Sequence, residues 1–329
     1  MRRWGTALRF GLLLGGAVLL GMLIIQIGPA AILASFTQLS WRLLIILLFP
    51  FSLVTVFDVL GWHFAFGRAR VPFAALYSAR VAGEAFNVTT PTASVGGEAV
   101  KAWLVRRHVA YSEGVASVIV AKTTITIAQG LFLLLGVMLA GATLLPDSRL
   151  LHAMKWLLVI EVLAVGGFVL VQVVGVFGGG ARLLKHLGLA DVGARTESLQ
   201  KLDHGLRHFY RRRPGRLVLS IACHFMGWVL SGLETYVIIR LLGVPLPLLT
   251  VLVIEAFSTG IRFATFFVPG SLGALEGGHV MTFVALGLGA PLGLAFSLVR
   301  RVREAAWTAA GLVIFAAMRP GLGPAPAEV

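Results

Sequence analysis

Apolar runs long enough to cross a bilayer recur along this 329-residue chain, at about 10–27, 43–66, 115–143, 153–177, 217–242 and 292–317. A hydrocarbon core of about 30 Å takes roughly 20 helical residues. Inside it every backbone polar group must be satisfied by the protein itself, which leaves helices as the outcome for such runs. Two further stretches, about 72–110 and 247–290, are apolar but broken near their middles by proline and glycine. Broken backbone is tolerated at that depth where it is buried in protein or lines a cavity. Each stretch is therefore expected to form a helical hairpin that enters and leaves on one side, with two short complete spans as the alternative. The expected fold is an all-α integral membrane protein of about six transmembrane helices plus two broken re-entrant hairpins, in one polytopic domain over 1–329. Its first half is about 1–178, its basic loop 181–216 and its second half about 217–318.

Composition agrees, since 58% hydrophobic and 13% charged residues are far from a soluble domain. The segment Met1 to Ala34 has the basic start and apolar run of a signal peptide, yet the run is long enough to span and is expected to remain as the first span. The net charge of +14 would suit nucleic acid, but the basic residues fill the gaps between apolar runs instead of one amphipathic face, so no nucleic-acid partner is expected. The loop 181–216 alone holds nine of them. Placing it in the cytoplasm also puts Arg2, Arg3, Arg9, Arg68, Arg70, Arg106, Arg107 and Arg319 there, which predicts both termini inside. One cysteine, Cys223, excludes an intrachain disulfide.

One pattern occurs twice. Glu84-Ala85-Phe86-Asn87 is followed by Pro91, Glu98 and Lys122; Glu255-Ala256-Phe257-Ser258 is followed by Pro269, Glu276 and Arg300. From proline to glutamate is 7 residues and from proline to the basic residue 31, in both copies. The first interval differs, 7 residues from Glu84 to Pro91 and 14 from Glu255 to Pro269, an insertion of about two helical turns that keeps the helix face. With the predicted topology the copies enter from opposite sides. They are then inverted repeats, whose broken segments point to a transporter's binding site.

Charges in apolar segments mark candidate residues, because each costs about 2.5–3.5 kcal/mol at the centre of an inserting helix. Arg80 with Glu84, and Arg300 with Glu304, are four apart and share a helix face; local neutralisation and function are both open for them. Glu98 and Glu276 each follow a proline and glycine, where a carboxylate caps a helix start or meets a ligand. Lys101, Lys122, Glu255 and Arg262 complete the charged set, with Asn87 beside it. The breaks themselves, Thr89 to Gly97 with Pro91, Gly96 and Gly97, and Val268 to Gly273 with Pro269, could expose backbone amides to a lipid phosphate. His224 and Glu234 on one span could relay protons, or simply hydrogen-bond within the bundle.

The string Thr90-Pro91-Thr92-Ala93-Ser94-Val95-Gly96-Gly97-Glu98, continued by Lys101-Ala102-Trp103-Leu104, resembles the flippase-like family named after the membrane domain of lysylphosphatidylglycerol synthase. Pro269-Gly270-Ser271-Leu272-Gly273-Ala274-Leu275-Glu276, with Arg300 in the next span, resembles its second hallmark. The likeness covers about residues 5–318, and the first string is also similar to hopanoid-biosynthesis-associated membrane proteins. It implies a bacterial inner-membrane protein that moves a phospholipid, an aminoacylated or hopanoid-related lipid, or a lipid-linked headgroup between leaflets. Bifunctional members carry an aminoacyl-transferase domain after the membrane part; this sequence ends at Val329, so lipid aminoacylation is not expected of it.

The leading expectation is thus a flippase-like lipid transporter, not an enzyme. A non-catalytic membrane partner of a lipid-modifying enzyme is the alternative, favoured by the basic loop, and an intramembrane enzyme comes third. No His-Glu-x-x-His, Gly-x-Ser-x-Gly or clustered metal set occurs, and Gly178-Gly179-Gly180 lacks the Lys-Ser/Thr of a phosphate loop. No cofactor is expected.

Overall fold

A computed structural model describes residues 40–67, 70–90, 96–174 and 193–318, with scattered helical positions between Val18 and Ala30. The expected first span, Pro91, and residues 181–192 of the basic loop lie outside these or almost so. Among the described residues there is helix and no strand: α1 (Leu43–Ala65), α2 (Phe73–Thr89), α3 (Gly96–Leu104), α4 (Tyr111–Thr143), α5 (Arg149–Val174), α6 (Gly193–Arg212), α7 (Pro214–Leu241), α8 (Leu248–Ala264), α9 (Ala274–Ala285) and α10 (Ala290–Met318). Four are long and apolar enough to cross a membrane, namely α1, α4, α5 over Arg149–Gln172, and α7. The last helix, α10, has the length, but Arg300, Arg301, Arg303 and Glu304 crowd its first half.

The centre is the pair α1 and α7. Ser220 Oγ donates to the Gly61 carbonyl at 2.8 Å and Arg216 Nη2 to that of His63 at 2.8 Å, while Asp58 faces Gly227. Numbers rise along one helix as they fall along the other, so the two run antiparallel.

Both broken stretches fold as antiparallel helix pairs. In the first, a Cβ on Gly97 would lie 2.0 Å from the Gly83 carbonyl oxygen and 2.5 Å from Asn87 Oδ1. The absence of a side chain there lets α2 and α3 touch backbone to backbone, and the Gly97 N–H donates to Asn87 Oδ1 at 2.9 Å. In the second, His279 meets Ser258 at 2.9 Å, and Gly278 receives Ile261. The additional residues of this copy lie between Glu255 and Pro269 and lengthen α8 past Glu255; the 3-10 turn Pro269–Ser271 follows, with Gly270 at φ 59°, and Gly273, at φ 78°, leads into α9.

The first helix of each pair crosses to the long helix of the other half: α2 packs on α10 and α8 on α4. Its second helix stays at home, α3 on α4 and α9 on α10. Exchanging α1, α2, α3, α4 for α7, α8, α9, α10 leaves every packed pair among them matched by another. Among the described helices α5 and α6 have no counterpart. The described part of the basic loop is chiefly α6, which packs on α4, α5 and α7, contributes Leu206 and Phe209 to the buried cluster that also holds Val59, Trp62, Leu76 and Val118, and leaves Arg211 and Arg212 exposed.

Gly97→Ala is expected to cost about 1–3 kcal/mol of overpacking, read as a lowered melting temperature in detergent. Gly141→Ala, where a Cβ would meet nothing within 4 Å, should melt like the parent.

Candidate functional site

Between the two broken stretches lies a cavity of about 450 Å³. Its walls come from α1, α2, α3, α4, α5, α7, α8, α10 and the turn at Gly270 and Ser271. Four carboxylates, Asp58, Glu84, Glu98 and Glu304, face four cations, Arg80, Lys101, Lys122 and Arg262, and His224 joins them. A narrower cavity of about 140 Å³ shares Asp58, Arg80, Glu84, Arg262 and Glu304 with it and extends to Arg300, Arg303 and Trp307. Charges this deep in a bundle of apolar helices persist only when paired or open to water.

Pairing is tight on the α1 side. Arg80 donates Nη2 to Asp58 Oδ2 and Nη1 to Glu84 Oε2, both at 2.7 Å. The i, i+4 spacing supplies the second bond and the α1–α2 packing the first. His224 Nδ1 lies 3.4 Å from Asp58 Oδ1, while its Nε2 has no partner and abuts Gly61. Within α3, Lys101 Nζ donates to both oxygens of Glu98 at 3.0 Å, and across the hairpin Asn87 Nδ2 adds a longer bond to Glu98 Oε1 at 3.3 Å.

Two cations are held more loosely. Lys122 reaches Glu98 at 3.8 Å with its side chain 43% exposed, and Arg262 reaches Glu304 at 3.6 Å with 37% exposed. One belongs to the half that carries the first copy and the other to the second. Such groups can exchange their present partners for a ligand at little desolvation cost, whereas their tight neighbours cannot.

The remaining candidate residues stand elsewhere. Glu255 is sealed in a knot that ties α7, α8 and α10: Arg300 donates to it at 2.7 and 3.1 Å, Ser231 and Thr235 each at 2.6 Å. Glu276 caps α9, accepting the Gly273 N–H at 2.6 Å, and its other oxygen takes Arg301, which also reaches Glu304. Gly96 opens α3 and Gly97 sits at the hairpin contact. Pro269 opens the 3-10 turn. The structure thus gathers Arg80, Glu84, Asn87, Glu98, Lys101, Lys122, Arg262 and Glu304 at one cavity. It sets Glu255 and Arg300 beside it in a packed pair.

Sequence reasoning passed over Asp58 and Glu161. Each is a single carboxylate inside an apolar run, and asking which spans carry one isolated acid would have found both. Among the described residues no group of three or more His, Cys, Asp or Glu is placed to hold a metal ion.

Comparison with family models matches residues 8–311 to the lysylphosphatidylglycerol synthase TM region. Comparison with curated proteins and with solved structures gives no match. The matched region takes in α1 through most of α10 and with them every wall of the cavity. The chain is a multi-pass membrane protein, and it belongs to the lysylphosphatidylglycerol synthase transmembrane-region family, which is associated with membrane lipids.

Proposed function

We propose that the protein moves a lipid headgroup between the leaflets of a bacterial inner membrane, through the charged cavity, while the acyl chains stay along the apolar outside of the bundle. The observation that carries this reading is the cavity itself: eight charged side chains from both halves surround about 450 Å³ inside helices whose outer faces expose residues such as Leu131, Met138, Leu163 and Leu170. Neutral balance suits a zwitterionic or anionic phospholipid, an aminoacylated lipid or a hopanoid-related one, with Lys122 and Arg262 on the phosphate through charge-assisted hydrogen bonds. Re-entrant hairpins in inverted repeats would let the cavity face either leaflet in turn. The antiparallel α1 and α7, and a packing pattern that survives exchange of the halves, support that arrangement. Positive charge between the spans supports cytoplasmic termini.

The test is reconstitution into vesicles of phosphatidylethanolamine and phosphatidylglycerol carrying a tail-labelled fluorescent phospholipid, with dithionite added outside. The protein should make inner-leaflet probe accessible faster than empty vesicles do. Lys122→Met and Arg262→Met should each slow this about tenfold, because hydrogen bonds to charged groups contribute about 1.5–3 kcal/mol. Wild-type rates in both variants would remove the cavity from the pathway.

A further inference from the structure

Helix α5 carries Glu161 about midway between Arg149 and Gln172, some 17 Å of helix from either end of the span. It is fully buried, and both its carboxyl oxygens lack a hydrogen-bond partner. Every other buried carboxylate described in the spanning bundle, from Asp58 to Glu276, has an arginine or lysine on it. Glu161 faces Gly130 of α4, with its Cδ 3.8 Å from where a Cβ would be.

Its position relative to the cavity is regular. Ala164, Val165 and Phe168 line the cavity and stand three, four and seven residues on, so Glu161 extends their stripe by one turn. On the other side Leu157 packs on Gly260 of α8. Charged or titratable groups with described side chains on the packed elements are Tyr111, Glu113 and Lys122 on α4, Glu255 and Arg262 on α8, Glu276 and His279 on α9, and Asp203, His204, Arg207, His208, Tyr210, Arg211 and Arg212 on α6; none bonds to Glu161. Along α5 itself, Arg149, His152 and Lys155 lie one to three turns away. Bare carboxylate without a partner is several kcal/mol too costly at such a depth. The acid form has no charge to solvate.

We propose that Glu161 is a proton-binding site coupled to the cavity, so that headgroup movement is accompanied by proton movement. This rests on the translocation reading above. The step conserves charge and atoms: Glu161 releases its proton to water when the cavity opens to one face and takes one from water when it opens to the other. Carboxyl groups buried among spanning helices serve as such relays in pumps and transporters.

Two measurements on the full-length protein test it. In the vesicles described above, an imposed pH difference should change the wild-type probe rate several-fold, Glu161→Gln should make the rate indifferent to the gradient, and Glu161→Asp should restore part of the response. Infrared difference spectra of the purified protein at neutral pH should show a carboxylic-acid C=O band that Glu161→Gln removes. A gradient response that survives in Glu161→Gln overturns the assignment, as does a band that is absent from the wild type or unchanged by the variant. A wild type that moves the probe regardless of pH difference overturns the coupling and leaves translocation standing. No probe movement at all overturns both.

Discussion

Arg300→Met is expected to remove most of the folded protein. Glu255 keeps all four of its hydrogen bonds inside the bundle, two of them from Arg300, and is 1% exposed. Deleting the arginine strands a carboxylate where water cannot reach, and breaking one partner of a buried pair costs about 3–5 kcal/mol. That is a large fraction of the roughly 5–15 kcal/mol that holds a domain together. Fluorescence-detected gel filtration in mild detergent should show a collapsed monodisperse peak for Arg300→Met. The double variant Glu255→Met with Arg300→Met should recover much of it, since it leaves no unpaired charge. A normal peak for the single variant would show that the knot contributes little.

Lys122→Glu is expected to have the largest effect on transport with the least effect on the fold. The side chain is 43% exposed and its one ion pair is long, 3.8 Å, so stability should change by no more than about 1 kcal/mol. The reversal places a fifth carboxylate beside the four already in the cavity. An anionic headgroup held about 4 Å from the new carboxylate would be repelled by about 4 kcal/mol at an effective dielectric of 20, whereas without a ligand the 43%-exposed side chain is free to turn away from Glu98. Probe movement in vesicles should fall by more than about a hundredfold, an allowance for only part of that repulsion. The gel-filtration profile should match the parent. Retained transport would place the phosphate elsewhere.

Much of this was legible in the residues. Apolar run length gave α1, α4, α5 and α7 to within a few positions, because helix length in a bilayer is set by a fixed thickness. Proline and glycine marked both breaks. The hairpin contact itself needs Gly97 and Gly83, but nothing local says which glycine touches which helix. The two copies also diverge in use: Glu98 turns to Lys101 in the cavity, while Glu276 turns back on its own helix start and to Arg301. Equal spacing along the chain therefore does not fix equal roles. Asp58 and Arg80 are 22 residues apart and Glu234 and Arg303 are 69 apart, so these pairings depend on the tertiary packing of α1 with α2 and of α7 with α10. Periodicity carries no information about them.

The most direct test of the cavity as a headgroup path is an electron cryomicroscopy map of the protein in nanodiscs of phosphatidylethanolamine and phosphatidylglycerol. Headgroup density between Lys122 and Arg262, with acyl density leaving the cavity past Ala164 and Phe168 of α5, is the result the account predicts. A well-resolved cavity holding only water, with Lys122 and Arg262 still on Glu98 and Glu304 and lipid confined to the outer surface, would contradict it.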